Sequence, residues 1–162
     1  MDTFDTLNDI YAALNARAAV IRAAMQSIGV ATAQGFYNNH YVKRNGAYVA
    51  EAYPIPVLTA GTEFNIGREF DIGVDLNETS LEFHIPREKA LALDYPALME
   101  KHRAEVYGAE EFLGNFEEDG AASVAQKIAE SDEETVCVCL FFAPSISAEE
   151  IAAAAQFFRT LQ

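Results

Sequence analysis

Basic side chains are scarce in this chain of 162 residues. It has 11 lysines and arginines against 25 aspartates and glutamates, so its formal net charge is -14. A negative field repels nucleic-acid phosphates and anionic lipids, so we expect neither nucleic acid nor a membrane surface as a partner. Residues 82–162 hold 16 of the acids and only 6 basic residues. This excess favours solubility, and it would also suit a basic protein or peptide partner.

Long apolar runs and cysteines are equally few. No run approaches the roughly 18 residues of a membrane-spanning helix, and residues 1–5 are acidic where a secretion signal is basic. Cys137 and Cys139 are the only cysteines. Two positions apart in a predicted strand, they lack the geometry for a disulfide, so we expect two buried, reduced thiols. These features predict a cytoplasmic protein.

The common catalytic signatures are absent as well. The sequence has no glycine-rich phosphate loop, dinucleotide fingerprint, His-Glu-x-x-His, Gly-x-Ser-x-Gly or Cys-x-x-Cys. The sequence therefore identifies no catalytic residue and predicts no cofactor. A divalent metal is considered below for the candidate site.

Half of the residues are apolar (51%), which predicts a folded core. We expect one α+β domain over residues 1–162, with an antiparallel or mixed sheet of about five strands and the N-terminal and C-terminal helices packed on it. Apolar residues from Leu7 to Ile28 recur at helical spacing. Ser147 and Glu150 form the capping box of the last helix. Helical spacing also predicts a helix that Asp94 caps and Gly108 ends, followed by an irregular connection over residues 109–119.

Three segments have the patterns of strands. Asn45-Gly46 predicts a two-residue hairpin within residues 41–49. Its second strand runs into residues 53–57, whose two prolines predict an edge strand or an irregular one at the end of the sheet. Residues 135–142 are apolar at nearly every position and do not alternate with polar residues, which is typical of a central strand covered on both faces.

Residues 69–85 alternate between apolar and polar side chains, which predicts a hairpin. Pairing Leu76 with Leu81 leaves a four-residue loop and places Val74 opposite Phe83. Asp75 then opposes Glu82.

The polar face of this hairpin is the candidate site. It brings together Asp71, Asp75, Glu82 and His84. Carboxylate oxygens would favour magnesium, manganese or calcium, and the imidazole extends the choice to zinc. Alternatively, repulsion between the opposed carboxylates would raise the pKa of one of them, which would suit it to general acid or base catalysis. A third alternative is that the face is an ordinary solvent-exposed surface without a function.

A second candidate surface is rich in tyrosine. Tyr37, Tyr41, Tyr48 and Tyr53 cluster around the first hairpin, and tyrosine suits interfaces because it has an apolar body and a polar end. Our first hypothesis is a non-catalytic interaction or regulatory protein that binds a protein or peptide, and a homodimer would fit the same surface. The alternative is a small metal-dependent or carboxylate-using enzyme with its site on the 69–85 hairpin.

Overall fold

The computed structural model describes residues 3–37, 40–44, 47–51, 55–60, 70–74, 79–109 and 111–162. Side chains are described for residues 9, 10, 12–32, 74, 79–109 and 111–162. The helices are α1 (Thr3–Ser27), α2 (Arg87–Leu91), α3 (Tyr95–Met99), α4 (Phe116–Asp119), α5 (Ala121–Glu130) and α6 (Ala148–Arg159). The strands are β1 (Thr32–Tyr37), β2 (His40–Arg44), β3 (Ala47–Glu51), β4 (Ile55–Ala60), β5 (Phe70–Val74), β6 (Thr79–Pro86), β7 (Arg103–Tyr107), β8 (Phe112–Asn115) and β9 (Thr135–Phe142).

Seven of these strands form one sheet in the order β1-β4-β5-β6-β9-β7-β8, and β2 pairs with β3. Every strand pairing in the described ranges is antiparallel. The predicted α+β fold with an antiparallel sheet and helices is confirmed, but the expected five strands are too few. Within these ranges, no helix is both long enough and apolar enough to cross a membrane.

The longest strand pairing joins β6 to β9, from Thr79↔Phe142 to Pro86↔Thr135. Because β9 also pairs with β7, it lies inside the sheet, as its apolar sequence predicts. Its alternate side chains from Val136 to Phe142 are buried against the helices. The opposite face is only partly covered, since Cys137 and Phe141 are half-buried.

One hydrophobic core fills the space between the sheet and the helices. Ile21 and Met25 of α1 are fully buried in it, as are Phe83 of β6 and Phe158 of α6. The rings of Phe83 and Phe158 stack with centroids 4.0 Å apart. The capping box that begins α6 is formed as predicted: the Ser147 side chain accepts from the backbone N–H of Glu150, and the Glu150 carboxylate accepts from that of Ser147.

The β5–β6 hairpin has a different register from the predicted one. Val74 pairs with Thr79, and Phe83 pairs with Phe70. The observed register differs from the predicted one by an even number of residues. Each position therefore stays on its predicted face of the sheet, while every pairing partner changes. Asp75 and Leu76 lie outside the described residues.

The helix predicted to end at Gly108 is wrong beyond Met99. Its continuation is β7, in which Ala104 and Val106 are buried between the half-buried Arg103, Glu105 and Tyr107. This period of two belongs to a strand and overrides the helical spacing of residues 98, 102 and 106. The predicted irregular connection after it instead contains β8 and α4.

The predicted sheet edge at residues 53–57 is also wrong. β4 lies between β1 and β5, and Pro56 pairs with Phe36 of β1. Pairing between β4 and β5 begins only at Val57↔Gly73, so Pro56 occupies a stretch that has a partner strand on one side. A proline is tolerated there because the strand needs no donor toward β5. The β2–β3 hairpin pairs Arg44 with Ala47, as a two-residue loop requires, and Asn45 and Gly46 lie outside the described residues.

Tyr95 has an unusual environment at the start of α3. Its ring stacks on Phe116 with centroids 3.8 Å apart, and its side chain is 3% exposed. Its hydroxyl is buried and has no hydrogen-bond partner among the described residues. Burial raises the pKa of this phenol well above its usual range.

Phe83→Ala tests the core packing. We expect the free energy of unfolding to fall by about 3 to 5 kcal/mol, because a fully buried ring and its stacking partner are lost. Urea denaturation measures the loss, and Phe112→Ala is the control because Phe112 is 52% exposed. A loss under about half a kcal/mol for Phe83→Ala, the range of a surface change, would contradict this core.

Candidate functional site

The face of the sheet that turns away from the helices carries the candidate site, and we call it the second face. The side chains around the site come mainly from the adjacent strands β6, β9 and β7. They include Glu82, His84, Arg103, Glu105, Tyr107, Cys137, Cys139 and Phe141.

Three of these side chains form a group of possible metal ligands. A carboxylate oxygen of Glu82, a ring nitrogen of His84 and the sulfur of Cys137 all lie within 4.8 Å of one another. His84 and Cys137 are direct cross-strand partners, whereas Glu82 lies two residues before His84 and opposite Cys139. All three side chains are half-buried.

The sequence predicted two of the three members of this group. Glu82 and His84 lie together as expected. Asp71 pairs with Glu82 through the backbone, in the position predicted for Asp75, but its side chain is not among those described, and Asp75 lies outside the described residues altogether. The predicted Asp75–Glu82 pair is therefore replaced by Asp71–Glu82.

Cys137 is the member that sequence reasoning missed. Both cysteines were expected to be buried; they are unbridged as predicted, and Cys139 is buried, but Cys137 is only half-buried. The thiol joins the group because β9 pairs with β6, which local alternation cannot predict. The sequence did contain one signal. Residues 82, 84, 137 and 139 occupy alternate positions of their strands, so aligning β6 with β9 places all four on the same face of the sheet.

Beside this group, Glu105 organises the polar contacts of β7. Its carboxylate pairs with Arg103 at 2.8 Å and accepts a hydrogen bond from the Asn115 amide at 3.1 Å. The hydroxyl of Tyr107 donates to the same carboxylate. Arg103 also lies over the Phe141 ring, 3.9 Å from its centroid, which is cation–π geometry.

The negative charge of the second face affects the pKa of Tyr107, which is the cross-strand partner of Cys137. Burial raises the pKa of its phenol, and the hydrogen bond to Glu105 and the negative charge of Glu105 raise it further. Charges at Cys139 and Glu82 act in the same direction. Tyr107 is therefore a neutral hydrogen-bond donor at neutral pH.

The tyrosine surface can be placed only in part. Tyr37 ends β1 opposite Ile55, Tyr41 pairs with Ala50, and Tyr48 pairs with Lys43. The side chains of these three residues are not among those described, and Tyr53 lies outside the described residues. The predicted interface stays a prediction.

On the helix side, α3 and α6 enclose an open groove of about 540 Å³, which we call the α3/α6 groove. Its walls are mainly apolar, with Leu98 on α3, Ala154 and Phe157 on α6, and Leu140 of the sheet at its base. The Phe157 side chain is 46% exposed and packs edge-on against Phe158.

His102 provides a titratable group in this groove. Its ring contacts the Phe142 ring edge-on at 4.4 Å. Burial lowers the pKa of His102, the negative charge of Glu150 opposes that shift, and Lys101 adds to it. The pKa of Glu150 is itself lowered, first by the backbone hydrogen bond from Ser147, so this carboxylate stays ionised beside the ring.

The fold has a counterpart among solved structures. A conserved hypothetical protein from Pyrococcus furiosus is similar, with a TM-score of 0.65 and 18% sequence identity, over 98% of this chain and 96% of that chain. Similarity at this level of identity concerns the fold alone. No family model matches the sequence, and no curated protein matches it.

The same substitution at two tyrosines is expected to have opposite effects. Tyr95→Phe removes a buried hydroxyl without a described partner, so we expect the free energy of unfolding to rise by about 1 kcal/mol. Tyr107→Phe removes the donor to Glu105, so we expect a fall of about 1 to 2 kcal/mol. Urea denaturation measures both. A loss of stability for Tyr95→Phe would mean that its hydroxyl is satisfied.

The lowered pKa of His102 predicts a pH dependence of stability. Between the unfolded pKa of about 6.5 and the lower folded value, the unfolded chain binds more protons, so acidification through this range destabilises the fold. We expect His102→Gln to lose less stability than the wild type between about pH 7.5 and about pH 5.5 in urea denaturation. Equal losses in the two proteins would contradict the burial of this ring.

Proposed function

We propose that this protein is a non-catalytic binding module of one domain, in which the α3/α6 groove takes an apolar segment of a basic protein or peptide partner. The observation that carries the proposal is the exposed Phe157 ring at an apolar groove. Large exposed aromatic side chains are enriched in binding interfaces, where they dominate the binding energy.

The form of the groove supports a peptide as the occupant. One wall is the three-turn helix α6, and the apolar side chains of Ala154, Phe157 and Phe158 line it at helical spacing. Such a wall suits apolar anchors that recur every third or fourth residue in an amphipathic partner segment.

The charge of the chain supports a basic partner. The formal net charge is -14, and the groove is bordered by the acids Asp94 and Glu150, with Lys101 as the basic member. A negative field raises the association rate of a positively charged partner and makes its binding sensitive to salt.

The other expectations about partners and location accompany this proposal. The tyrosine surface around β2 and β3 would provide a second contact area or a homodimer interface. Two unbridged cysteines are consistent with the reducing conditions of the cytoplasm.

A metal-dependent enzyme is the second candidate function. It is favoured by the thiol, imidazole and carboxylate on the second face, which lie on the opposite side of the sheet from the α3/α6 groove. The two functions use separate residues, so each can be tested alone.

A peptide-binding experiment tests the groove. We would measure fluorescence anisotropy of labelled basic amphipathic peptides, and of acidic peptides with the same apolar pattern, at low and high salt. We expect the basic peptides to bind more tightly and to weaken with added salt. We expect Phe157→Ser to weaken binding about tenfold, because it removes an aromatic anchor.

Phe112→Ser is the matched control, since Phe112 is also an exposed phenylalanine but does not line the groove. Its peptide affinity should equal that of the wild type. Binding that survives Phe157→Ser unchanged, or that both substitutions weaken equally, would contradict the proposal.

A further inference from the structure

We propose that Glu82, His84 and Cys137 bind one divalent transition-metal ion, with Zn²⁺ as the preferred ion. The proposal goes beyond the binding function assigned to the α3/α6 groove and does not depend on it. Its basis is the convergence of three different donor atoms within 4.8 Å on the second face of the sheet.

The donor atoms select the class of ion. A thiolate sulfur and an imidazole nitrogen are ligands of zinc and related transition metals, and one carboxylate oxygen completes a set that zinc proteins use. Calcium takes six to eight oxygen ligands, and magnesium demands octahedral oxygen coordination. A group with one carboxylate among its three ligands therefore favours zinc over both, in contrast to the oxygen-rich site expected for the 69–85 hairpin.

The backbone holds these ligands in place. Glu82 and His84 lie within β6, Cys137 lies within β9, and the two strands pair over their whole described length. Ligands on paired interior strands lose little conformational freedom when the ion binds, which favours a preformed site. Their partial burial excludes some water while leaving the group accessible to an ion.

The number of ligands suggests an open site. Within the described residues, no fourth His, Cys, Asp or Glu joins this group. Three protein ligands leave one position of a tetrahedral zinc ion for water or another small ligand. Tyr107, the cross-strand partner of Cys137, lies beside the group, and its hydroxyl donates to Glu105.

Cobalt titration of the metal-free protein tests this site directly. Co²⁺ replaces Zn²⁺ in such sites, and bonding to a thiolate produces a charge-transfer absorption band in the near ultraviolet. We expect one Co²⁺ to bind per chain with this band, and Zn²⁺ to displace it. We also expect Zn²⁺, but not Mg²⁺ or Ca²⁺, to raise the unfolding temperature by binding the folded state.

Cys137→Ser and Cys139→Ser provide a matched pair, because both thiols lie on the same face of β9 and only Cys137 belongs to the group. Cys137→Ser should abolish the band, and Cys139→Ser should keep it. His84→Asn and Glu82→Gln should each weaken Co²⁺ binding by about tenfold or more. Circular dichroism verifies that each variant is folded; if a cysteine variant unfolds, the His84 and Glu82 variants decide.

Three results would overturn the proposal. The first is no thiolate band in the folded wild type with excess Co²⁺. The second is a band that survives Cys137→Ser or is unaffected by His84→Asn and Glu82→Gln. The third is an equal stabilisation by Ca²⁺ and Zn²⁺, which would indicate ion binding to acidic side chains in general.

Discussion

The antiparallel pairing of β6 with β9 determines the arrangement of everything else in this protein. It joins residues that are far apart in the sequence, from Thr79↔Phe142 to Pro86↔Thr135, and β9 then provides the edge on which β7 and β8 assemble. Side chains of both strands alternate between the two faces. One face therefore forms the core with α1 and α6, and the other carries the proposed metal ligands.

This arrangement separates two kinds of surface. The side chains toward the helices are apolar along β6 and β9 except for Thr79, and the α3/α6 groove opens at their margin. The second face holds charges that compensate one another, as Arg103 does for Glu105. The half-buried carboxylate of Glu105 is tolerated there because it accepts hydrogen bonds and forms an ion pair with Arg103.

The parts of the fold that depend on local pattern were predictable. Helical spacing predicted α1, the Ser147–Glu150 capping box predicted α6, and an apolar run predicted β9. Alternation also predicted which face the side chains of β6 and of Val74 in β5 occupy. It did not predict their register, because a shift by an even number of residues preserves the faces. The site could not be predicted in the same way. Cys137 approaches His84 because β9 pairs with β6, and no local pattern in the sequence specifies which strands are neighbours. β7 was missed because its residues satisfy helical spacing and alternation at once.

The place of β9 in the sheet also has a consequence for synthesis. β9 follows all the other described strands in the chain, yet it lies between β6 and β7. As the chain leaves the ribosome, the β4–β5–β6 and β7–β8 pairings can form from neighbouring segments, while β6 and β7 each keep an unpaired edge and an apolar face. Closing the sheet must wait for a contact between distant parts of the sequence, which slows folding. Nascent chains of this protein are therefore most exposed to aggregation just before β9 emerges.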